Sequence, residues 1–334
     1  VTGARPFNVL LSSAGRRQAL LQIWRRTLAE LRLDGRVMAA DMTRLSAAFQ
    51  SADQAFVVPR CTSADFVPAM LELCRVNEVS LIVPTIDTEL PVYAANREAF
   101  AAVGTTVAVS TPEVVAIGGD KERTHRWLVG AGLPTVRQAS AEEAAARPDD
   151  WPYPFLVKPI GGSSSIGVAV VRDRLHLESA TRGGGFIAQT IAPGVEYTID
   201  FLAGRDGRCR CAVPRRRFET RAGEISKGMT VRSPALQALA ARLCEALPGA
   251  YGCLNVQVFL DQASGLLSVI EINARFGGGF PLSWEAGARY PRWMVEELLG
   301  LPSTAEADAW RHGLVMLRYD EAVYVDATLA GIDP

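Results

Sequence analysis

The sequence predicts an α/β chain: an N-terminal doubly wound parallel sheet, then an α+β region built on antiparallel strands. Three observations predict it. Short apolar runs alternate with helical patterns through the first third of the chain, the glycine pair Gly118-Gly119 interrupts that alternation, and beyond it strand follows strand. At 334 residues the chain exceeds a single core, so more than one unit is expected, divided at 1–118, 119–192 and 193–334.

Residues 7–11 form an apolar strand ending at Ser12-Ser13-Ala14-Gly15, and 16–31 carry a helical period. Further strands are expected at 37–40, 55–58 and 81–84, with helices over 63–77 and 89–103. Ligands of such sheets bind beyond the carboxyl ends of the strands, which puts Arg17, Asp41, Asp87 and Glu89 on one rim. Arg16 and Arg17 read either as holders of a carboxylate or as solvated residues at a helix start. The single glycine near Ser13 does not make the three-glycine fingerprint that lets backbone approach a pyrophosphate, so a nicotinamide site is disfavoured; Asp41 keeps it open.

After the glycine pair, Asp120 reads as the N-cap of a helix running to Val129 and closed by Gly130-Ala131-Gly132 and Pro134. A short alanine-rich helix covers 141–146. Strands at 155–159 and 168–171 flank a glycine-serine loop and read as a flap. Strands at 186–189, 196–203, 211–218 and 229–232, and a helix over 234–247, lead to a hairpin of 255–260 and 269–273 joined through Ser264-Gly265. Residues 314–325 read as a closing strand pair.

Composition narrows the function classes. The formal net charge is −1, 21% of residues are charged and the basic residues are dispersed, so neither a nucleic-acid nor a membrane partner is expected. Apolar residues make up 49%, but charges interrupt every run before it could span a bilayer, and the opening residues lack a secretory pattern, so a cytoplasmic location is expected. The six cysteines are scattered without zinc-site spacing, and the three histidines are isolated, leaving little material for thiolate, imidazole or triad chemistry.

The hairpin carries the strongest chemical signal. Glu271 and Asn273 stand two apart on a strand, so both face one side. With the turn symmetric about Ser264, Gln257 lies opposite Glu271, and the three offer only oxygen donors, which suits Mg²⁺ shared with phosphates. An edge hairpin with a wet polar face gives the same pattern. Lys158 precedes a loop containing Gly162, Ser163, Ser164 and Ser165, whose N–H groups could meet phosphate oxygens; a plain hairpin turn is the alternative. Lys121 at a helix start could add a second positive charge. The segment Gln189-Thr190-Ile191 could read an adenine edge through its backbone, with Glu196 just beyond to accept ribose hydroxyls.

The order Lys121, Lys158, glycine-serine loop, Gln189 to Ile191, Glu196, Gln257, Glu271, Asn273 resembles the ATP-grasp superfamily, especially the synthetase components of the carbamoyl phosphate synthase large chain. The resemblance covers nearly the whole chain. It implies a pre-ATP-grasp Rossmann-like domain followed by a two-lobed α+β ATP-grasp domain with a mobile lid. It also implies ATP and one or two Mg²⁺ as cofactors, with Mn²⁺ as an alternative metal. Lys121 and Lys158 match phosphate-binding positions, Gln189 and Ile191 the adenine segment, Glu196 the ribose carboxylate, and Gln257, Glu271 and Asn273 the metal ligands. Arg275 matches an arginine beside the transferred phosphoryl group.

Two departures bear on the substrate. The segment Gly223-Glu224-Ile225-Ser226-Lys227-Gly228 lacks the histidine of the carbamoyl phosphate group, and one ATP-grasp unit stands where that enzyme has two. Lys227 is expected either near the γ-phosphate or a substrate carboxylate, or as an exposed loop lysine. The implied reaction is phosphorylation of a carboxylate followed by attack of an amine, on amino-acid-like small molecules. Asp87 and Glu89 are expected to hold the amine, and Gly277 and Gly278 to hold the carboxylate or its oxyanion. A carboxylate or carbamate kinase, a nicotinamide oxidoreductase and a non-catalytic nucleotide-binding subunit are the rival readings. A homodimer is compatible with any of them.

Overall fold

The computed structural model describes residues 5–161, 167–181, 184–221 and 223–332. The first part alternates strand and helix: β1 Asn8–Ser12, α1 Gln18–Glu30, β2 Val37–Asp41, α2 Ala47–Ser51, β3 Gln54–Val57, α3 Phe66–Val76, β4 Val79–Pro84, α4 Leu90–Ala95, α5 Arg97–Ala102 and β5 Thr106–Val107. The strands form a parallel sheet of order β3-β2-β1-β4-β5. Every residue of β1 and β2 is buried, because helices cover both faces of the sheet. The helix expected over 89–103 is two helices broken at Asn96, and α2 and β5 escaped the sequence reading.

The chain then runs through α6 Pro112–Gly119, α7 Lys121–Gly130, β6 Gln138–Ser140, α8 Ala141–Ala146, β7 Phe155–Pro159, β8 Ala169–Val171, α9 Arg174–Ala180 and β9 Phe186–Thr190. Gly118 and Gly119 are the last two residues of α6, and a Cβ on Gly118 would fall 2.8 Å from the carbonyl oxygen of Ile272. Glycine is there for close packing. Asp120 caps α7 as expected, its Oδ1 accepting from the Arg123 amide at 2.9 Å. A small antiparallel sheet, β6-β9-β7-β8, encloses its own apolar cluster of Ala144, Trp151, Phe155, Val157, Val171, Leu177 and Ala188.

The last part contributes β10 Val195–Ala203, β11 Cys209–Arg221, β12 Glu224–Thr230, α10 Pro234–Ala246, β13 Gly252–Leu260, β14 Leu267–Asn273, α11 Phe280–Glu285, α12 Tyr290–Leu298, β15 Val315–Leu317 and α13 Ala327–Ala330. Its antiparallel sheet has the order β14-β13-β10-β11-β12-β15. Of the closing strand pair expected over 314–325, only the three residues of β15 form a strand. Residues 224–228, taken as a loop, open β12.

Two apolar clusters bind this sheet to the first. One joins Leu10, Ile82 and Tyr93 to Ile199, Leu243 and Val256. The other packs Trp24 of α1 edge-on against Phe276, with Phe280, Trp284 and Tyr290 behind. Burying such large side chains contributes about 2 kcal/mol each, which holds the two rims at fixed separation. Among the described residues, no helix is long and apolar enough to cross a membrane.

Candidate active site

The site is laid out by strand register. Gln257 pairs with Glu271, and Asn255 with Asn273. The turn is not symmetric about Ser264: Leu260 pairs with Leu267, Phe259 with Ser268 and Val258 with Val269, and the register shifts before Gln257. Ile270 is the extra residue of that β-bulge. It resets the alternation, so Val269 and Ile272 both enter the core at 0% and 1% exposure while Glu271 and Asn273 face the other way. Continuing across the sheet, Gln257 pairs with Thr198 and Thr198 with Arg215. Glu271, Gln257, Thr198 and Arg215 therefore form one transverse row on the polar face.

That face floors a cavity of about 580 Å³ whose opposite wall is the rim of the first sheet, at Arg17, Thr85, Ile86 and Asp87. Gln257, Glu271, Asn273, Arg275 and residues 277–279 line it as well. Arg275 grips Asp87 with a two-pronged ion pair, Nε to Oδ1 at 2.7 Å and Nη2 to Oδ2 at 2.6 Å. It is not left pointing at open space. Burial lowers the Arg275 pKa, but Asp87 outweighs it, and the net direction is upward. Asp87, expected to hold an amine, is engaged by this arginine.

Glu89 does not line the cavity. It is fully buried and accepts from the Ser12 and Ser13 hydroxyls and the Thr85 and Ile86 amides, at 2.6–3.2 Å. Burial pushes its carboxyl up against those hydrogen bonds, and its role is to staple the rim. Asp41 is similarly spent, since its Oδ2 accepts from Gly15 N at 2.8 Å and Oδ1 from Met42 N at 2.7 Å. Neither oxygen is offered to a ribose, which removes the remaining support for a nicotinamide site. Lys227 also lies off the cavity: it faces Glu219 across the β11-β12 ladder, Nζ to Oε2 at 2.7 Å, with both side chains 51% exposed.

Lys158 lies in β7, 7% exposed, and burial pulls its ammonium down to about 8, with Glu271 pushing it up and Lys121 adding to the fall. Lys121 Nζ reaches the carbonyl of Ile160 just past β7 at 3.4 Å, and burial lowers it too, against Glu271, Asp120 and Asp87. Both lysines therefore sit in the field of Glu271. Gln189 is buried, its Nε2 donating to Gln138 at 3.1 Å, while Gln138 donates to the Lys121 carbonyl at 3.0 Å. The Thr190 amide is taken by the Arg137 carbonyl at 3.0 Å, and Ile191 stands past the strand end, 47% exposed. Glu196 accepts from Arg217 Nη1 at 2.6 Å, and burial and Glu271 push its carboxyl up while Arg217 pulls it down. Gly162, Ser163, Ser164 and Ser165 lie outside the described residues.

Sequence reasoning missed Asn255, Thr198, Arg215 and Glu224. Asn255 stands two before Gln257, so the period that found Glu271 and Asn273 marks it as well; its Nδ2 donates to the Arg275 carbonyl at 3.0 Å. The donor set of Gln257, Glu271 and Asn273 is hard and carries a single negative charge. It fits a magnesium ion that takes further ligands from phosphate oxygens. Among the described residues, no group of three His, Cys, Asp or Glu could hold a metal by itself.

Two family models match the chain. Residues 9–108 match the model described as PylC-like, N-terminal domain, and residues 185–322 match that of an ATP-grasp in the biosynthetic pathway with Ter operon. The chain thus carries a PylC-like N-terminal domain followed by an ATP-grasp domain. Among curated proteins, the chain is 27% identical to a formate-dependent phosphoribosylglycinamide formyltransferase of Synechococcus sp. strain RCC307, over 74% of the chain and 65% of that protein. It is 31% identical to a D-alanine–D-alanine ligase of Stutzerimonas stutzeri over 47% of the chain and 55% of the ligase. The chain thus spans less than two thirds of either relative. A biotin carboxylase structure from Campylobacter jejuni superposes with a TM-score of 0.73 at 16% identity, covering 93% of this chain and 74% of that one, which shows that the ATP-grasp fold is shared.

Proposed function

We propose that the chain is an ATP-dependent carboxylate–amine ligase that forms an amide or peptide bond through an acyl phosphate, releasing ADP and phosphate. The observation that carries the reading is the convergence of Gln257, Glu271 and Asn273 on one sheet face, with Lys121 and Lys158 in the field of Glu271. Relatives named as ligases support it. In this reading the lysines hold phosphate oxygens and Glu196 a ribose hydroxyl.

Gln257, Glu271 and Asn273 would hold Mg²⁺, which when bound offsets phosphate charge during transfer. Arg275, held in place by Asp87, would stand beside the transferred phosphoryl group. Alignment and charge neutralisation do most of the work in phosphoryl transfer, so no protein nucleophile is required. Water would destroy an acyl phosphate, so the small sheet with its own apolar cluster serves as the lid. The reading divides the chain at 1–118, 119–192 and 193–334.

Hydroxylamine tests the reading. With a panel of amino acids and dipeptides as carboxylate donors, ATP, Mg²⁺ and hydroxylamine should yield an acyl hydroxamate together with ADP. ADP release without hydroxamate from any donor would place the phosphoryl group on another acceptor and refute it.

A further inference from the structure

Arg215 is 2% exposed and its guanidinium is held from one side only: Nε and Nη2 donate to Asp200 at 2.7 and 2.8 Å, and Ser283 braces the same carboxylate. Its Nη1 is buried without a hydrogen-bond partner. A guanidinium N–H left without an acceptor in a protein interior is costly, and a ligand anion is one way to satisfy it. The residue lines the cavity, and Nη1 lies directly beneath Gly279, where a Cβ would fall 2.2 Å from it.

Arg17 approaches the same ribbon from the first sheet's rim. A Cβ on Gly278 would fall 2.8 Å from its Nη1 and 2.7 Å from the Glu224 carboxylate. Glu224 is shared between Arg17 at 3.0 Å and Arg318 at 2.8 Å. Around residues 277–279, then, Arg17, Arg215 and Arg318 face Glu224 and Asp200, with Arg16 also in electrostatic reach of Glu224, so positive charge exceeds negative. Burial lowers the Arg17 pKa, with Arg275 and Arg318 adding to the fall against Glu224 and Asp87. The ribbon is built of glycine, which admits this close approach, and a ligand reaches Nη1 only if the backbone at Gly279 shifts.

We propose that Arg17 and Arg215, on either side of this glycine ribbon, form a subsite for a substrate carboxylate other than the one that is phosphorylated. The inference deepens the ligase reading and rests on it. Arg215 lies three strands from Glu271 in the transverse row, roughly 14 Å between Cα atoms, so the second carboxylate stands well away from the phosphoryl group. The carboxylate belongs to the amine acceptor, as in an amino acid, or to a dicarboxylate donor, and the two sources can be told apart.

Calorimetric titration, with Mg²⁺ and a non-hydrolysable ATP analogue present, compares compounds that differ by one carboxylate: glycine, alanine, glutamate and lysine against the corresponding decarboxylated amines, and glutarate against butyrate. The carboxylate partner of at least one pair should bind about 10- to 100-fold more tightly, the amine pairs reporting an acceptor and the acid pair a donor. Arg17→Gln, which leaves Glu224 its bond to Arg318, and Arg215→Lys, which keeps a cation beside Asp200, should each remove most of that advantage. Absence of any advantage in the wild type, or its survival in both folded variants, would overturn the subsite. ADP formation with the same compounds separates the two readings. Carboxylate-dependent binding without ADP from any compound sustains the subsite and sinks the ligase, whereas equal amide formation from alanine and ethylamine does the reverse.

Discussion

Arg275 and Asp87 join the two halves of the site: a side chain just past β14, an edge strand of the antiparallel sheet, holds a carboxylate on the rim of the parallel one through two hydrogen bonds of 2.6–2.7 Å. The arginine is 13% exposed and the aspartate 37%, so the pair is shielded on the arginine's side and open to solvent on the aspartate's. A double-mutant cycle of Asp87→Ala and Arg275→Met should show a coupling of about 1–3 kcal/mol in urea unfolding. Additive effects would mean that the ion pair contributes nothing to holding the rims together. Asp87→Asn should also lower kcat for ADP release more than it raises the KM for ATP, since it loosens Arg275 without touching the lysines.

Glu271 supplies the only negative charge among the three oxygen donors. Glu271→Gln keeps the size and the pairing with Gln257 while removing the charge. ADP formation should fall by about a hundred-fold or more, with an unchanged far-ultraviolet spectrum and melting temperature. Activity within a few-fold of the wild type would remove this hairpin from metal binding.

The alternation of the parallel strands and the pairing of Gln257 with Glu271 were legible in the sequence, because buried strands and period-two faces leave a direct residue pattern. The pairing came out right although the turn is not symmetric. Val269, Glu271 and Asn273 share parity, so an unbroken strand would put Val269 on the polar face; the bulge at Ile270 removes that conflict. Hidden from sequence were contacts set by tertiary packing alone. Asp87, Glu89 and Asp41 look equivalent as rim acids, yet Arg275 takes the first, hydroxyls and amides bury the second, and the amides of Gly15 and Met42 take up the third. Arg215 looked like one of three consecutive arginines. Only its place opposite Thr198, in the row of Gln257, marks it as part of the floor.

Lys227 provides a control in the opposite sense. Its exposed pair with Glu219 is screened by solvent and contributes little to stability, and it lies off the cavity. Lys227→Ala should leave kcat and the KM for ATP within about twofold of the wild type. A hundred-fold loss in a steady-state assay would show that β12 reorients when substrates bind.

Lys158 gives a pH signature. Burial holds its ammonium at about 8 in the native protein, against about 10.4 in an unfolded chain. Between those values the unfolded chain binds more protons, so the unfolding free energy rises with pH across the window. The cost of burying the charge is present in full below pH 8 and is relieved above it. Lys158→Met should flatten that rise, measured by urea unfolding between pH 7 and 10. Holding phosphate, by contrast, requires the proton, so kcat/KM for ATP should fall as pH passes about 8. The fall in kcat should come later, because bound phosphates restrain the proton. Lys158→Arg, charged throughout this range, should abolish the fall in kcat/KM. If the limb near pH 8 persists in the arginine variant, another group titrates there and Lys158 is not the phosphate ligand.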